Sequence, residues 1–424
     1  MQTSRDKLLS VGLAKVISMP LGFITSVILA RLMGPEVFGQ YVFAFTVLSL
    51  LALPTGAAFG QLVMREVATA SDTANLSLLR GFIARCWQWV ISVSLLLILV
   101  LVLGEFFSSG GLIVWGALII PLMALVTLQS ETLRGLGFVA KSQWPDLVIR
   151  PLIFLILVLS LATTEKLDPQ SVLLSYTVAL AVVVIYLQWL LAKNSKHRAT
   201  GLLPSYDDER WLKAVPWFFT ISLTAALLNQ VPIGILGVMG LPSEQLSALQ
   251  LALSFSLLVG LPMVVINLVM GPELAKLLSN ESKRYAINLA SRMTRLGLLL
   301  CFPLGVTVAL FSELIVVGIY GGDYSYATTV VTVLALSALL NVAFGPLSYV
   351  LTLSGFERHA AAGQLLGLFI MSLAIIASAQ EFGSLGGAVG VLLGTAVRNI
   401  FLVMMCGRHL KTPWSLLLAR EGIR

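Results

Sequence analysis

The sequence predicts an all-α polytopic membrane protein of about twelve transmembrane helices in two pseudo-symmetric six-helix bundles. Three observations carry that expectation. Apolar residues make up 58% of the 424-residue chain and charged residues only 11%, with a mean hydropathy of +0.95. A water-soluble domain needs roughly 25% charged residues to cover its surface. Apolar runs of about 20 residues, enough at 1.5 Å each to cross roughly 30 Å of hydrocarbon, recur along the whole length. Finally, the first half of the chain resembles the second.

The apolar runs fall at about 9–30, 40–62, 82–104, 111–133, 145–163, 171–192, 213–238, 244–270, 294–319, 326–351, 359–380 and 384–407. No window alternates apolar and polar residues between turn signals, so a barrel of strands is not expected. The first run is too long for the apolar part of a cleavable signal and continues into the fold. Between the first two runs stands ILARLMGPEVFGQY (28–41). Gly34 and Pro35 are expected to stop the first helix where it meets water, and Glu36 to Gly39 to turn the chain into the second. That reads as a helical hairpin, not a phosphate-binding loop.

Lys and Arg remain on the cytoplasmic side during insertion. With the first residues inside, the inner loops and tail hold Arg65, Arg80, Arg134, Lys141, Lys193, Lys196, Arg198, Arg210, Lys213, Lys276, Lys283, Arg284, Arg292, Arg358, Arg408, Lys411, Arg420 and Arg424. The other side keeps only Arg31 and Lys166. Both termini are therefore expected in the cytoplasm, and the net charge of +7 follows from this bias and from attraction to anionic lipid heads without any nucleic acid.

The internal repeat pairs LMGPEVFGQYVFAFTVLSLLALPTGAAFGQLVMREVA (32–68) with VMGLPSEQLSALQLALSFSLLVGLPMVVINLVMGPELA (238–275), and LRGLGF (133–138) with LTLSGF (351–356). The offsets are similar, roughly 206 to 218 residues. Six spans separate the copies, an even number, so both halves point the same way across the membrane, a known plan for transporters. The expected division is a bundle over 1–192, a cytoplasmic linker over 193–212 and a second bundle with a short tail over 213–424.

Cys86, Cys301 and Cys406 fall in or beside the spans, lack metal-ligand spacing and are odd in number, so they read as small buried apolar residues. Ionisable groups inside a span are costly and face a cavity or a partner. Lys15, Arg85, Arg150 and Arg398 are the cations so placed. Arg85 sits near a helix end and can reach the interface. Asp146 and Arg150 have the spacing of an ion pair on one helix face. Lys15 lies ~10 Å inside its span, at the limit of such reach. Arg398, about nine residues from the end of its span, is best placed in a lumen. Glu66, Glu131 and Asp146 lie near cytoplasmic ends, where pairing with Arg65, Arg134 or Arg150 competes with a functional role; Glu66 and Asp146 are the candidates for ion coupling. Asn229, Gln230 and Asn267 either line a cavity or bond between helices.

LARLMGPEVFGQYVFA closely resembles the first-hairpin signature of polysaccharide flippases, the Wzx-type O-antigen exporters of the MOP superfamily, which also includes the multidrug-extruding MATE proteins. LVMREVA resembles the end of their second span. GGDYSYATTVVTVLALSALLNVAFGPLSYVLTLSGFERHAAAG (321–363) is similar to their tenth span and the loop after it, and EFGSLGGAVGVLLGTAV (381–397) to the start of their last. The resemblance implies two six-helix bundles around a central cavity. It also implies transport of oligosaccharide units linked to undecaprenyl pyrophosphate from the cytoplasmic to the periplasmic leaflet of the inner membrane. A diphosphate would call on Lys15, Arg85, Arg150 and Arg398, Arg being suited to it by bidentate hydrogen bonding. No cofactor or metal is expected; an H+ or Na+ gradient is the open candidate for driving force. The expected partners are the lipid-linked glycan, membrane lipids and other polysaccharide assembly proteins, with the chain itself a monomer. The lipid II flippases of the cell-wall pathway typically carry two extra C-terminal spans, a point of departure from that branch.

Two other readings stand beside this one. A drug or cation antiporter of the multidrug-extrusion family would need interior carboxylates, whereas the deep charges here are mostly positive. A polysaccharide polymerase or membrane glycosyltransferase would need a sizeable periplasmic loop with catalytic acids or bases. The outer loops are short, His197, His359 and His409 all fall on the cytoplasmic side, and no nucleotide loop or nucleophile triad is evident. Transport, not catalysis, is the expectation.

Overall fold

A chain in hydrocarbon must satisfy its own backbone hydrogen bonds, and a helix does so within one segment. The computed structural model describes residues 4–56, 59–72, 75–107, 111–163, 167–194, 203–279 and 283–410, and every regular element among them is helical. The helices are α1 (Ser4–Ala52), α2 (Gly60–Asp72), α3 (Leu76–Phe107), α4 (Leu112–Trp115), α5 (Ile119–Gly135), α6 (Val139–Trp144), α7 (Arg150–Ala162), α8 (Pro169–Asn194) and α9 (Asp208–Val238). There follow α10 (Ser243–Ser279), α11 (Lys283–Leu310), α12 (Ser312–Tyr320), α13 (Thr328–Phe344), α14 (Leu347–Leu353), α15 (Glu357–Phe382) and α16 (Ser384–Leu410).

Ten stretches among the described residues are long and apolar enough to cross a membrane. The first, Ser10–Ala52, contains two expected spans, because α1 departs from helical geometry only at Gly34 (φ 75°, ψ 169°). An L side chain rarely adopts that φ, so glycine is what lets the chain break there. The apolar part of α9, Ala226–Val238, is shorter. Leu95, Leu96, Leu99 and Leu103 project from α3 more than half exposed, a face that suits lipid and not water. The chain is a multi-pass membrane protein.

Five spans differ from their expected form, two of them by short interruptions at residues 116–118 and at Phe311. The run 40–62 is not one helix: α1 ends at Ala52 and α2 begins at Gly60. Pro54 has no N–H to continue the ladder; the Thr55 hydroxyl donates to the Ala52 carbonyl (2.7 Å), and Trp89 Nε1 donates to the Pro54 carbonyl (3.0 Å). The run 326–351 is divided at Gly345 and Pro346 between α13 and α14, after a 3-10 turn over Gly322–Ala327. Between α6 and α7, Pro145–Ile149 forms one π-helical turn.

The paired motifs have matching backbone geometry. Gly34 and Gly240, the glycines of the two Met-Gly pairs, have φ of 75° and 73°; Gly137 and Gly355, of LRGLGF and LTLSGF, have 87° and 83°. In each of the latter pair the Phe N–H bonds the carbonyl five residues back at 2.9 Å, Phe138 to Leu133 and Phe356 to Leu351. That is the helix-ending bond made possible by a left-handed glycine.

Packing divides the chain into Met1–Leu21 with Gln40–Gln230, and Gly22–Gly39 with Val231–Arg424. These limits differ at two places from those that chain order suggests. In the first unit, α5 packs on α2, α3 and α8, over a core of Leu62, Val67, Phe82, Ala124, Leu128 and Trp211. The opening of α9 belongs there through Trp211, whose ring meets Phe82 at 5.1 Å. Residues 195–202 of the expected linker lie outside the described residues.

In the second unit, α10, α11, α13 and α16 pack together and α15 lies along α16. The Gly22–Gly39 stretch joins it through Arg31, which donates to the Gly318 carbonyl (2.6 Å), and through the Ala30 carbonyl, which accepts from the Tyr324 hydroxyl (2.9 Å). Cys301 and Cys406 are buried, Cys86 is partly buried, and all three are free thiols.

Candidate functional site

In the first unit the candidate site is built on the π-helical turn. Pro151 offers no N–H to the carbonyl four residues before it, so the helix does not need regular α geometry there. The turn widens, and the Arg150 N–H bonds the Pro145 carbonyl five residues back. Such single π turns inside helices are frequent at functional sites. Arg150 Nε stands 2.8 Å from Asp146 Oδ1. The same guanidinium donates through Nη1 to the Tyr176 hydroxyl on α8 and lies 5.3 Å from the centroid of that ring.

Tyr176 is itself fixed. Phe45 meets it edge-on at 4.9 Å and Phe154 at 5.2 Å, and Tyr41 stacks on Phe45 at 6.0 Å. Edge-to-face pairs at these separations are favourable and orienting. Tyr41, Phe154 and Tyr176 are buried, but the ion pair is not: the Asp146 side chain is 36% exposed and that of Arg150 21%. An aromatic floor thus carries a guanidinium and a carboxylate that are each partly exposed, although Arg150 Nε itself is buried without a hydrogen bond among the described residues.

In the second unit the site centres on Arg398. The seam between α15 and α16 is tight: a Cβ added at Gly367 would fall 2.8 Å from Arg398 Cβ and 3.0 Å from the Gly394 carbonyl. Small residues allow such close approach between membrane helices. Arg398 Nη2 donates to Asn341 Oδ1 (2.7 Å), which also accepts from Asn399 Nδ2 (3.1 Å). Asn341 lies in the last turn of α13, just before the break at Gly345 and Pro346. Among the described residues no carboxylate is in ion-pair reach of Arg398.

The remaining candidates are distributed. Lys15 is exposed on α1. Arg85 grips Asp208 at the start of α9 with two bonds, Nε to Oδ1 (2.9 Å) and Nη2 to Oδ2 (2.6 Å), and its guanidinium lies 4.7 Å from the centroid of the Tyr206 ring. Glu66 is buried on α2, and Arg65 donates to its Oε1 from Nε (3.0 Å) and Nη2 (2.7 Å). Arg134 stands 3.4 Å from Glu131. Asn229 is exposed and Gln230 half-buried at the middle of α9. Asn267 on α10 is half-buried, and its Oδ1 is buried with no hydrogen-bond donor among the described residues.

The sequence reading did not find Tyr176, Asp208 or the buried Gln129, whose amide donates to Gln188 at 3.0 Å. Each acts across two helices, and nothing in the spacing along one helix reports such a partner. Among the described residues no three His, Cys, Asp or Glu side chains gather to hold a metal ion.

Helical spans broken at glycine and proline, with cations embedded in them, define a multi-pass helical membrane protein. A MATE family multidrug resistance transporter of the MOP superfamily, in an inward-facing conformation, superposes with a TM-score of 0.72 at 12% identity, over 95% of this chain and 98% of that one. The lipid II flippase MurJ, in an inward closed conformation, gives 0.68 at 17% identity over 93% and 87%. The Vibrio cholerae MATE transporter VcmN gives 0.63 at 15% identity over 96% of each. No curated protein matches the sequence. The model of the polysaccharide biosynthesis protein family matches residues 4–240, more than half of the chain, and the chain belongs to that family.

Proposed function

We propose that the chain is a flippase that carries oligosaccharide repeat units on undecaprenyl pyrophosphate from the cytoplasmic to the periplasmic leaflet of the inner membrane. The observation that carries the reading is Arg398, a guanidinium within a membrane-spanning helix that meets a neutral amide oxygen and no described carboxylate. A lone Arg in a span costs a few kcal/mol on insertion scales. A water-filled path visited by an anion relieves that cost, and Arg binds a diphosphate through two parallel bonds. Membership of a polysaccharide biosynthesis family supports a saccharide cargo.

In this reading Arg398 and Arg150 are the principal phosphate contacts, Lys15 a weaker one, and Arg85 a contact in reach of the inner surface. Glu66 and Asp146 are the groups through which an H+ or Na+ gradient would act, and Asn229, Gln230 and Asn267 line the path. Both termini are cytoplasmic, and the two bundles, 1–192 and 213–424 joined by 193–212, alternate in their opening. A cation antiporter is disfavoured by the acids: Glu66, Glu131 and Asp146 each stand against an arginine. Deletion of the gene tests the reading in cells. Lipid-linked repeat units should accumulate on the cytoplasmic face and surface polysaccharide should disappear; unchanged surface polysaccharide would sink it.

A further inference from the structure

We propose that Asp146 is an exchangeable internal counter-ion, which occupies Arg150 when the site is empty and yields it to a phosphate of the substrate. The inference rests on the reading of Arg150 as a phosphate contact and adds to it how that contact is released. Four observations point to exchange instead of a static structural pair. The two charges meet at 2.8 Å on the π-helical turn through Arg150 Nε, which is buried and makes no hydrogen bond among the described residues. Over a third of the Asp146 side chain and a fifth of the Arg150 side chain are exposed, so an anion can reach the carboxylate and the rest of the guanidinium. A pair this open is held weakly, far more so than one sealed from water.

Asp146 has one arginine, whereas Arg150 has two further anchors: the Tyr176 hydroxyl accepts from its Nη1 and the Tyr176 ring lies under the guanidinium. Tyr41 also lies near enough to interact electrostatically with Arg150. Those anchors persist if the carboxylate leaves. Tyr176 is locked by Phe45 and Phe154 and cannot follow it. The Arg150 guanidinium is therefore pre-positioned, and the carboxylate is its mobile partner.

The chemistry has a purpose in a carrier. A guanidinium on an aromatic floor with no counter-ion would hold a diphosphate tightly and release it slowly. A tethered carboxylate 2.8 Å from the guanidinium competes with the phosphate for the same positive charge, which weakens binding and speeds release. No bond is made or broken and no proton need move; one anion takes the place of another on the same cation. The Asp146 side chain, over a third exposed, is not sealed inside the protein once displaced.

Purified protein in nanodiscs, titrated with inorganic pyrophosphate and with farnesyl pyrophosphate, tests the exchange. Asp146→Asn should bind both probes about tenfold more tightly, with slower dissociation, and Asp146→Glu should stay near the parent. Arg150→Gln should lose binding, and Asp146→Asn combined with Arg150→Gln should bind no better than Arg150→Gln alone. Unchanged or weaker binding by Asp146→Asn, with Arg150→Gln still defective, would overturn the exchange while leaving Arg150 as a phosphate contact. Parent-like binding by Arg150→Gln would overturn the phosphate contact itself and the exchange with it. A thermal-melting profile and gel-filtration elution equal to the parent's qualify each variant. If Asp146→Asn fails that check, Asp146→Ser takes its place with the same two outcomes.

Discussion

Arg398 and Arg150 are both guanidinium groups within membrane-spanning helices, and their surroundings predict different responses to substitution. Arg398 leans on Asn341, a neutral acceptor that keeps a second donor in Asn399 at 3.1 Å. Arg398→Ala therefore orphans no buried acceptor and removes a charge that costs a few kcal/mol to place in a membrane. Protein abundance should be normal and export lost, as read by quantitative membrane blotting beside surface polysaccharide staining. Arg398→Lys should rescue only partly, because one ammonium cannot reproduce the fork. Lys15→Ala should act in the same sense more weakly. Full export by Arg398→Gln at normal abundance would exclude charge recognition there. The pairing of Arg150 with Asp146 was legible from spacing along one helix. Asp208 was not: it reaches Arg85 from 123 residues away, and only the folded chain brings them to 2.6 Å.

Helices here are shaped by where they break. Gly34 carries a φ of 75° between the two runs of α1, and a Cβ there meets no neighbouring atom within 4 Å. Gly34→Ala should thus destabilise through backbone strain alone, by about 1 kcal/mol, seen as a lower melting temperature in detergent without loss of insertion. Gly367→Leu differs in kind. Its side chain would drive into Arg398 Cβ and the Gly394 carbonyl, and overpacking of this sort costs about 1–3 kcal/mol. Folded protein in the membrane should fall, and fluorescence-detected size exclusion measures it; an unaltered monodisperse peak at parental level would contradict the tight seam. The Met-Gly motifs and the break at Gly34 were readable because glycine and proline punctuate them, although residues 36–39, expected as a turn, are helical. The breaks at Pro54 and at Gly345–Pro346 were not, since hydropathy continues smoothly across them: an apolar count registers length and not geometry.

At the scale of the molecule, composition alone gave a multi-pass helical protein, because 11% charged residues cannot cover a surface in water. The packing units were less legible. Gly22–Gly39 joins the second unit through Arg31 and Tyr324, contacts made to partners nearly 300 residues away. The proposed flippase is expected to alternate between states open to one side and to the other. Cysteine pairs across the inner and outer ends of the two bundles should cross-link in mutually exclusive patterns, and simultaneous opening of both ends in the presence and absence of substrate would contradict that cycle. The central claim concerns cargo, and its most direct test is movement of the cargo itself. Purified protein reconstituted into sealed vesicles should carry a fluorescent undecaprenyl-pyrophosphate glycan from one leaflet to the other, measured by the fraction that becomes accessible to a membrane-impermeant quencher or glycosidase. The account predicts transfer well above protein-free vesicles and its loss in Arg398→Ala. Transfer equal to protein-free vesicles, across several glycans and with an ion gradient in either direction, would contradict it.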